Sequence, residues 1–433
     1  MKINNYMILG AGLTGLSFSY YSGRNIPLFE MESCAGGLIR TQKVGKYKFD
    51  LAPHLLHFRS ETIRKLVLEE LNLNVTSHTR KARIYFEKKL IPYPFELNLN
   101  QISAEIRDDC IVGLNSIDAN IRSNEKSIRS GSYHDYALKA FGPGIANHYL
   151  LPYNRKIWDT DPKEMNCEWM RMLPTADLEK IRNNAFFENM DEFGYNTEFY
   201  YPSEGGMQDL ADLLSHKLSN LYLKHKAVSI DVEKKVVIFE NGREERYKTL
   251  ISTLPLNQLV QLTARQNMIK QAELLISTAV TVVNVVVKGA VPEGVHWIYF
   301  PNKDLDFFRV SLPKNYFPNC APDNEHIISV EVSNRKKIMD IELLEKKIID
   351  QLKLTNVFEI KEVVFCHTDV LPSAYCIYDT ARAEIVKNLS DELESFGIFS
   401  SGRYGKWEYS AMQDALTYGL ELAQKFKLYN KDI

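Results

Sequence analysis

At 433 residues, 45% of them hydrophobic and 25% charged, the chain is long enough to bury a large core and to fold as two or three connected domains. A formal net charge of −2 argues against a general nucleic-acid binder, which would carry a basic balance or stripe, and leaves local phosphate sites open. Cys34, Cys110, Cys167, Cys320, Cys366 and Cys376 are dispersed without a CxxC pair or zinc-ligand spacing, so neither a metal nor a disulfide is expected and a reduced, cytoplasmic protein is the simplest expectation. No apolar run reaches the roughly 18 residues of a spanning helix, and a glycine turn comes so early that no signal peptide is expected.

The first element is an apolar run, Tyr6-Met7-Ile8-Leu9, that breaks into Gly10-Ala11-Gly12-Leu13-Thr14-Gly15 and continues as a helix-compatible segment to Tyr21. In a strand–turn–helix unit Gly10 allows the tight turn, Gly12 lets the backbone approach a pyrophosphate, and Gly15 lets helix and strand pack closely. A second strand, Ile26-Pro27-Leu28-Phe29, ends in Glu30, placed to accept the hydroxyls of an adenosine ribose. Strand, turn, helix, strand and acid in this order predict a dinucleotide site. Met31-Glu32-Ser33-Cys34-Ala35-Gly36-Gly37-Leu38-Ile39-Arg40 follows. Its glycine pair lets the chain run close past a bulky cofactor, with Arg40 available for a phosphate; a plain flexible loop is the alternative.

That second glycine motif resembles the one in the large amine oxidase-like FAD superfamily, and nicotinamide dehydrogenases lack it. Asp50-Leu51-Ala52-Pro53-His54-Leu55-Leu56-His57 strengthens the likeness. Its Pro-His and second His resemble the UDP-galactopyranose mutases, in which this segment turns under the isoalloxazine. The resemblance implies FAD as cofactor.

Residues 61–74 carry helical spacing, and Arg83 to Phe95 reads as a hairpin whose prolines confine it to a sheet edge. From about 99 to 185 the pattern is helical, with a helix from Ser132 stopped by Gly142-Pro143-Gly144 and a second running through Ile145 and Tyr149. It leads into Tyr153-Asn154-Arg155-Lys156-Ile157-Trp158-Asp159-Thr160-Asp161-Pro162, where cations beside Asn and Trp suit an anion with a sugar or planar ring, or a plain helix–loop junction. This stretch resembles a motif shared by the mutases and the protoporphyrinogen oxidase-like proteins of bacterial surface-glycan clusters. The mutases follow it with Arg, Pro, Arg. Here Arg171 stands for the first arginine and none follows Pro174, so the mutase reaction would need Arg182 or another cation in its place.

Pro202-Ser203-Glu204-Gly205-Gly206-Met207 matches a turn common in the superfamily, and Val228, on the next strand, is the expected backbone contact of the adenine. A hairpin around Asn241-Gly242 precedes a strand ending in Thr253 that completes the nucleotide sheet. Residues 256–370 read as mostly β, with Trp297, Tyr299, Arg309 and Glu331 as pocket candidates; Tyr375 and Tyr378 stand where the chain returns to the flavin. The close is a strand, a turn at Gly402-Arg403 and a helix beginning near Ala411-Met412-Gln413. Gly402 and Arg403 are expected at the pyrophosphate or ribityl chain, and the amides of Ala411, Met412 and Gln413 at the flavin edge, where the helix dipole favours negative charge. Amine oxidases carry an acidic residue where Arg403 stands.

The expectation is an α/β protein with a discontinuous Rossmann-like FAD domain (1–75, 191–255, 381–433), a β-rich substrate domain (76–98, 256–380) and a helical insertion (99–190). His54, His57, Lys156, Trp158 and Arg171 are the candidates for catalysis. The resemblance implies an enzyme working through flavin N5 on a nucleotide-activated sugar such as a UDP-sugar, or on a glycan precursor. A protoporphyrinogen or amine oxidase is the alternative, and a non-catalytic interaction protein the third. The partner expected is a small molecule, with neither nucleic acid nor membrane.

Overall fold

The computed structural model describes residues 3–23, 25–117, 128–172, 177–187, 198–335 and 340–429, leaving aside the side chains of Arg171 and Met172. The run Leu173-Pro174-Thr175-Ala176, where a second arginine was sought, lies outside the described residues.

Strand Ile3–Leu9 begins exposed and ends with Met7, Ile8 and Leu9 buried, as a strand does on entering the middle of a parallel sheet. Its parallel neighbours are Glu244–Ser252 on one side and Leu28–Phe29 on the other; Leu221–Tyr222 extends the sheet beyond Leu28–Phe29, and Ile398–Ser400 pairs with the end of Glu244–Ser252. Ala227–Asp231 and Val236–Phe239 add an antiparallel pair to complete seven strands. This sheet draws on the start, middle and end of the chain. Helix Leu13–Tyr21, buried at all nine positions, packs on helix Met412–Lys425 so closely that a Cβ at Gly419 would stand 2.5 Å from the Phe18 nitrogen. The Ser17 hydroxyl donates to the Leu416 carbonyl at 2.7 Å.

The second sheet also has seven strands, in the order Glu359–Cys376, Ser277–Ala290, His326–Asn334, Arg309–Ser311, Trp297–Tyr299, Ala82–Phe86, Lys89–Pro92. Lys89–Pro92 is an edge, as its proline requires. The helical layer packs on this sheet around Trp158, Phe308, Leu371 and Tyr375.

Three expectations change. The helix over 61–74 shortens to Glu61–Lys65 and a wider turn, Leu66–Glu70. Asn72 turns left-handed (φ 51°), and Val75–Thr79 becomes a strand against Glu198–Pro202. Gly142-Pro143-Gly144 kinks rather than ends the helical path: Gly142 takes φ 74°, and the small residues let helix Tyr133–Ile145 meet Ala104–Asn115 backbone to backbone near Gly113. The 256–370 region contains helices Leu256–Leu262, Gln266–Ala272 and Ile341–Leu354, and the first two pack under the parallel sheet with Leu250 and Ile398.

All six cysteines are free. No helix of the described residues is long and apolar enough to cross a membrane. No group of three metal-ligating side chains occurs among the described residues.

Candidate active site

At the first turn backbone does the work. Gly10 sits at φ 95°, and a Cβ at Gly15 would collide with the Gly10 carbonyl. Around Gly12, by contrast, a Cβ would meet nothing within 4 Å, so the N-terminus of helix Leu13–Tyr21 opens on free space and has no side-chain cap. The Thr253 hydroxyl donates to the Leu9 and Gly10 carbonyls at 3.1 Å and holds the turn from behind. Glu30 is buried and accepts from the Ala11 amide at 2.7 Å and the Glu32 amide at 3.0 Å, which fixes its carboxylate beside the turn.

The second glycine motif backs onto the first. The Gly36 amide donates to Ala11 at 2.8 Å, and Gly37 (φ 58°) is so close that a Cβ there would lie 3.2 Å from the Gly12 Cα. The Arg40 guanidinium bonds the Gly37 carbonyl at 2.9 Å and pairs with Glu32 at 3.1 Å. Leu38 is half-buried beside them and Met31 exposed. From the other end of the chain, Gly402 (φ 83°) lies against Thr14, whose hydroxyl donates to the Ala415 carbonyl at 2.9 Å.

His54 follows Pro53, which lines a small cavity with Asp50, Tyr201 and Asn284. Burial pushes the Asp50 carboxyl up to about 6, against hydrogen bonds from Thr41 at 2.5 Å and Tyr201 at 2.6 Å. His54 Nδ1 lies 2.8 Å from the Ala52 carbonyl, so Nδ1 carries the proton and Nε2 keeps its lone pair. Burial holds the imidazole down at about 4, with the nearby charges of Arg403 and Arg309 adding to the effect. Arg403 donates to the Ser410 carbonyl and, at 2.9 Å, to that of Ala374, and lies over Tyr409 at 5.0 Å. Its Nε is buried without a hydrogen-bond partner, and no carboxylate among the described residues pairs with it. Such a cation is built for an anionic group that the chain itself does not supply. The Gln413 side-chain oxygen, on the first turn of helix Met412–Lys425, accepts from the Arg59 and Ser60 amides and ties that helix to the His54 turn, while the Ala411 amide donates to Asp414 at 2.7 Å.

A cluster of aromatic rings packs in the core beside this point. Trp158 is buried with its ring 5.4 Å from Tyr375 and 5.6 Å from Tyr409, and its indole N–H donates to Asn154 at 3.2 Å. Arg309 stands directly across the sheet from Glu331; its Nε and Nη2 both engage that carboxylate, the latter at 2.8 Å. Tyr153 meets Tyr299 edge-on at 5.4 Å. Period-two alternation nominated Arg309 and Glu331 without deciding their faces, because only cross-strand register shows that they pair.

Other candidates lie elsewhere. His57 Nδ1 bonds the Glu198 carbonyl at 3.0 Å and the ring faces Phe199, with Arg80 and Arg59 rather than Arg403 and Arg309 as its neighbouring charges. Lys156 does not join Trp158: two residues apart on one helix, they point to different sides. Its ammonium donates to the carbonyls of Phe300 at 3.0 Å and Asn302 at 2.7 Å, and burial lowers it to about 7. These bonds make it a tie between helix and sheet. Val228 is exposed on its strand. Arg171 lies in a short 3₁₀ turn, Glu168–Met172, and its side chain lies outside the described residues.

A family model described as flavin containing amine oxidoreductase matches residues 20–425. The chain belongs to that family. It is therefore a FAD-dependent enzyme of the flavin amine oxidoreductases. Among solved structures, a reduced UDP-galactopyranose mutase superposes with a TM-score of 0.90 at 25% identity, over 99% of this chain and 95% of that one. An Exiguobacterium sp. 255-15 protein assigned to protoporphyrinogen oxidase gives 0.76 at 16%, covering 99% and 100% of the two chains. Putrescine oxidase bound to putrescine gives 0.67 at 12%, covering 98% and 99%. The last two likenesses concern the fold alone. As a flavin amine oxidoreductase, the chain has residues that fit FAD: the open space at Gly12, the uncapped helix N-terminus, the fixed Glu30 carboxylate and the uncompensated Arg403.

Proposed function

We propose that this flavoenzyme acts on a nucleotide-activated sugar or related glycan precursor, bound in the aromatic cleft with its reacting carbon where His54, Arg309 and Arg403 converge. That convergence carries the reading: a neutral imidazole within reach of the charges of two guanidiniums, one of which lies over Tyr375 and Tyr409, suits a polar, anion-bearing ring. The likeness over the whole chain to a UDP-galactopyranose mutase supports the substrate class.

In this reading Gly10, Gly12, Leu13, Thr14 and Gly15 receive the pyrophosphate and Glu30 the ribose. Met31, Gly36, Gly37, Leu38 and Arg40 flank the dinucleotide, with the backbones of Val228 and Thr253 on the adenine side. Pro53, His54, Gly402, Arg403, Ala411, Met412 and Gln413 surround the flavin. In this reading the FAD domain is assigned 1–75, 191–255 and 381–433, the substrate domain 76–98 and 256–380, and the helical insertion 99–190. Bound FAD supplies a hydride acceptor or a nucleophilic ring nitrogen.

The chain supplies the rest. Arg403 and the N-terminus of helix Met412–Lys425 place positive charge where negative charge grows. His54, anchored through Nδ1, offers Nε2 to take a proton from a sugar hydroxyl or water. Arg309 is steadied by Glu331 and keeps Nη1 outside that pairing for the substrate anion. The rings exclude water and orient the sugar.

The test is an absorption spectrum of the purified holoenzyme followed by anaerobic titration with UDP-galactose and UDP-glucose. A flavin spectrum that shifts on titration is expected, and product analysis then separates ring contraction from net oxidation. A flavin spectrum indifferent to every nucleotide sugar overturns the substrate class.

A further inference from the structure

The small cavity beside Pro53 joins two parts of the molecule. Lys48, Asp50 and Tyr201 line it from one, Asn284 and Ser329 of the second sheet from the other. Asn284 and Ser329 are direct partners across strands Ser277–Ala290 and His326–Asn334, so their side chains share a face, and Ser329 stands two residues from Glu331 on that face. Asn284 is the one polar residue in the run Val282-Val283-Asn284-Val285-Val286-Val287. It is 2% exposed, and its amide nitrogen is buried without a hydrogen-bond partner among the described residues. Such a donor is costly, and another valine would fill its place in the sheet without that cost.

Asp50 brings an acceptor to the same space. Its carboxylate takes hydrogen bonds from the Thr41 hydroxyl at 2.5 Å, the Tyr201 hydroxyl at 2.6 Å and the Met207 amide. A carboxylate offers about four lone-pair positions, so one is left over. The Lys48 ammonium is engaged elsewhere: it donates to the Glu204 carbonyl at 2.5 Å and lies over the Phe317 ring at 5.5 Å. The space open to the centre of a water molecule is about 10 Å³, which is room for one. A donor on one wall and an acceptor on the other select the occupant. An anion would meet the Asp50 carboxylate and a metal cation the Asn284 N–H, whereas water accepts from one and donates to the other.

We propose that this cavity is a binding site for one ordered water, held between Asn284 and Asp50, and that the water couples the second sheet to the second glycine motif. From Asp50 the path runs to Thr41, whose hydroxyl accepts from the Gln208 amide at 3.2 Å, and from the Gln208 side chain to the Ala35 carbonyl at 3.0 Å, next to Gly36. Asn284 is thereby a positioning residue for the flavin nucleotide, which rests on the assignment of Gly36, Gly37 and Arg40 to the dinucleotide.

A crystal structure of the holoenzyme is the first test. One water within about 3.2 Å of both an Asp50 oxygen and the Asn284 amide is expected. A cavity that is empty, or filled by the flavin, an ion or a shifted side chain, overturns the site. The second measurement is the rate at which FAD leaves the holoenzyme on dilution, read as recovered flavin fluorescence. Asn284→Leu matches the amide in size but offers the water nothing, and FAD is expected to leave roughly fivefold faster. Asn284→Ser keeps a donor and leaves room for a second water, and is expected to stay within about twofold of wild type. Packing alone predicts the reverse order, since serine leaves the larger void; release faster from Asn284→Ser than from Asn284→Leu therefore overturns the coupling. Arg40→Met, which does not line the cavity, tests the assignment beneath it. If Arg40→Met speeds release and Asn284→Leu does not, the coupling falls and the assignment stands; if neither does, both fall. Should Asn284→Leu fail to fold, Asn284→Ala takes its place, with release faster than from Asn284→Ser expected and equal rates overturning the coupling.

Discussion

The glycine turn and the proposed substrate cleft are built by opposite means. At the turn, space and φ angles make the site: Gly10, Gly15 and Gly402 are required because a side chain would collide or strain, and Gly12 because the space beyond it is kept open. In the cleft, side chains make the site, and they come from segments as far apart as Tyr93, Tyr153, Arg309, Tyr375 and Tyr409. A site made of backbone tolerates almost no substitution and little functional variation. A site made of side chains on a rigid sheet can change its ligand while the fold stays, and the two regions should respond differently to mutation.

The largest effect is expected at the turn. Gly15→Val drives a branched side chain into the Gly10 carbonyl. Flavin retention after gel filtration, read as visible absorbance, is expected to be lost, a penalty of about 4 kcal/mol or more. Full flavin content in this variant would show that backbone closeness does not govern the turn. Next comes the cleft. Arg309→Met leaves Glu331, whose side chain is 2% exposed, as an unpaired buried charge, at about 3 kcal/mol in denaturant unfolding. Arg309→Met with Glu331→Met is expected to regain most of that, because the second change removes the stranded charge. If the double variant is no better than the single, the pair does more than cancel its own charges.

A smaller effect comes from pH. His296, 4% exposed, is held by burial at about 4, with His78, Lys81 and Arg83 as the charges that reinforce the shift. Its folded-state value lies below the unfolded one, so the unfolded chain binds the extra proton. Stability from this group is complete above about pH 6.5 and is lost as pH falls toward 4, by about 2 kcal/mol at pH 5. Asp50, raised to about 6, acts in the opposite sense, so the test compares the slopes of wild type and His296→Gln between pH 7 and 5. Equal slopes would remove His296 from the acid response. The smallest effect is expected from Lys156→Met, about 1 kcal/mol of stability with turnover unchanged, since its ammonium ties two carbonyls outside the cleft. A fall in turnover at constant stability would return Lys156 to the chemistry.

Much of the parallel sheet was legible because its signals are local. Apolar run, glycines and acid lie within thirty residues, and the Gly402-Arg403 turn repeats the logic at the other end. Helix Met412–Lys425 follows the spacing read for it. The strand Val75–Thr79 was not legible, because its partner, Glu198–Pro202, lies more than a hundred residues away. Lys156 and Trp158 looked like one recognition motif in the linear chain, and the helix sends them to different sides.

What the sequence by itself determined is the dinucleotide turn, since the need for glycine is a property of single residues and their immediate neighbours. It also determined the seven-residue strand and nine-residue helix on either side of that turn, through runs of apolar side chains. Tertiary structure alone decided which strands face which. That register paired Arg309 with Glu331, brought the charges of Arg309 and Arg403 to His54 and left Arg403 without a carboxylate among the described residues. The physical reason is range: steric rules act between adjacent residues, whereas burial and charge depend on neighbours that only folding brings together.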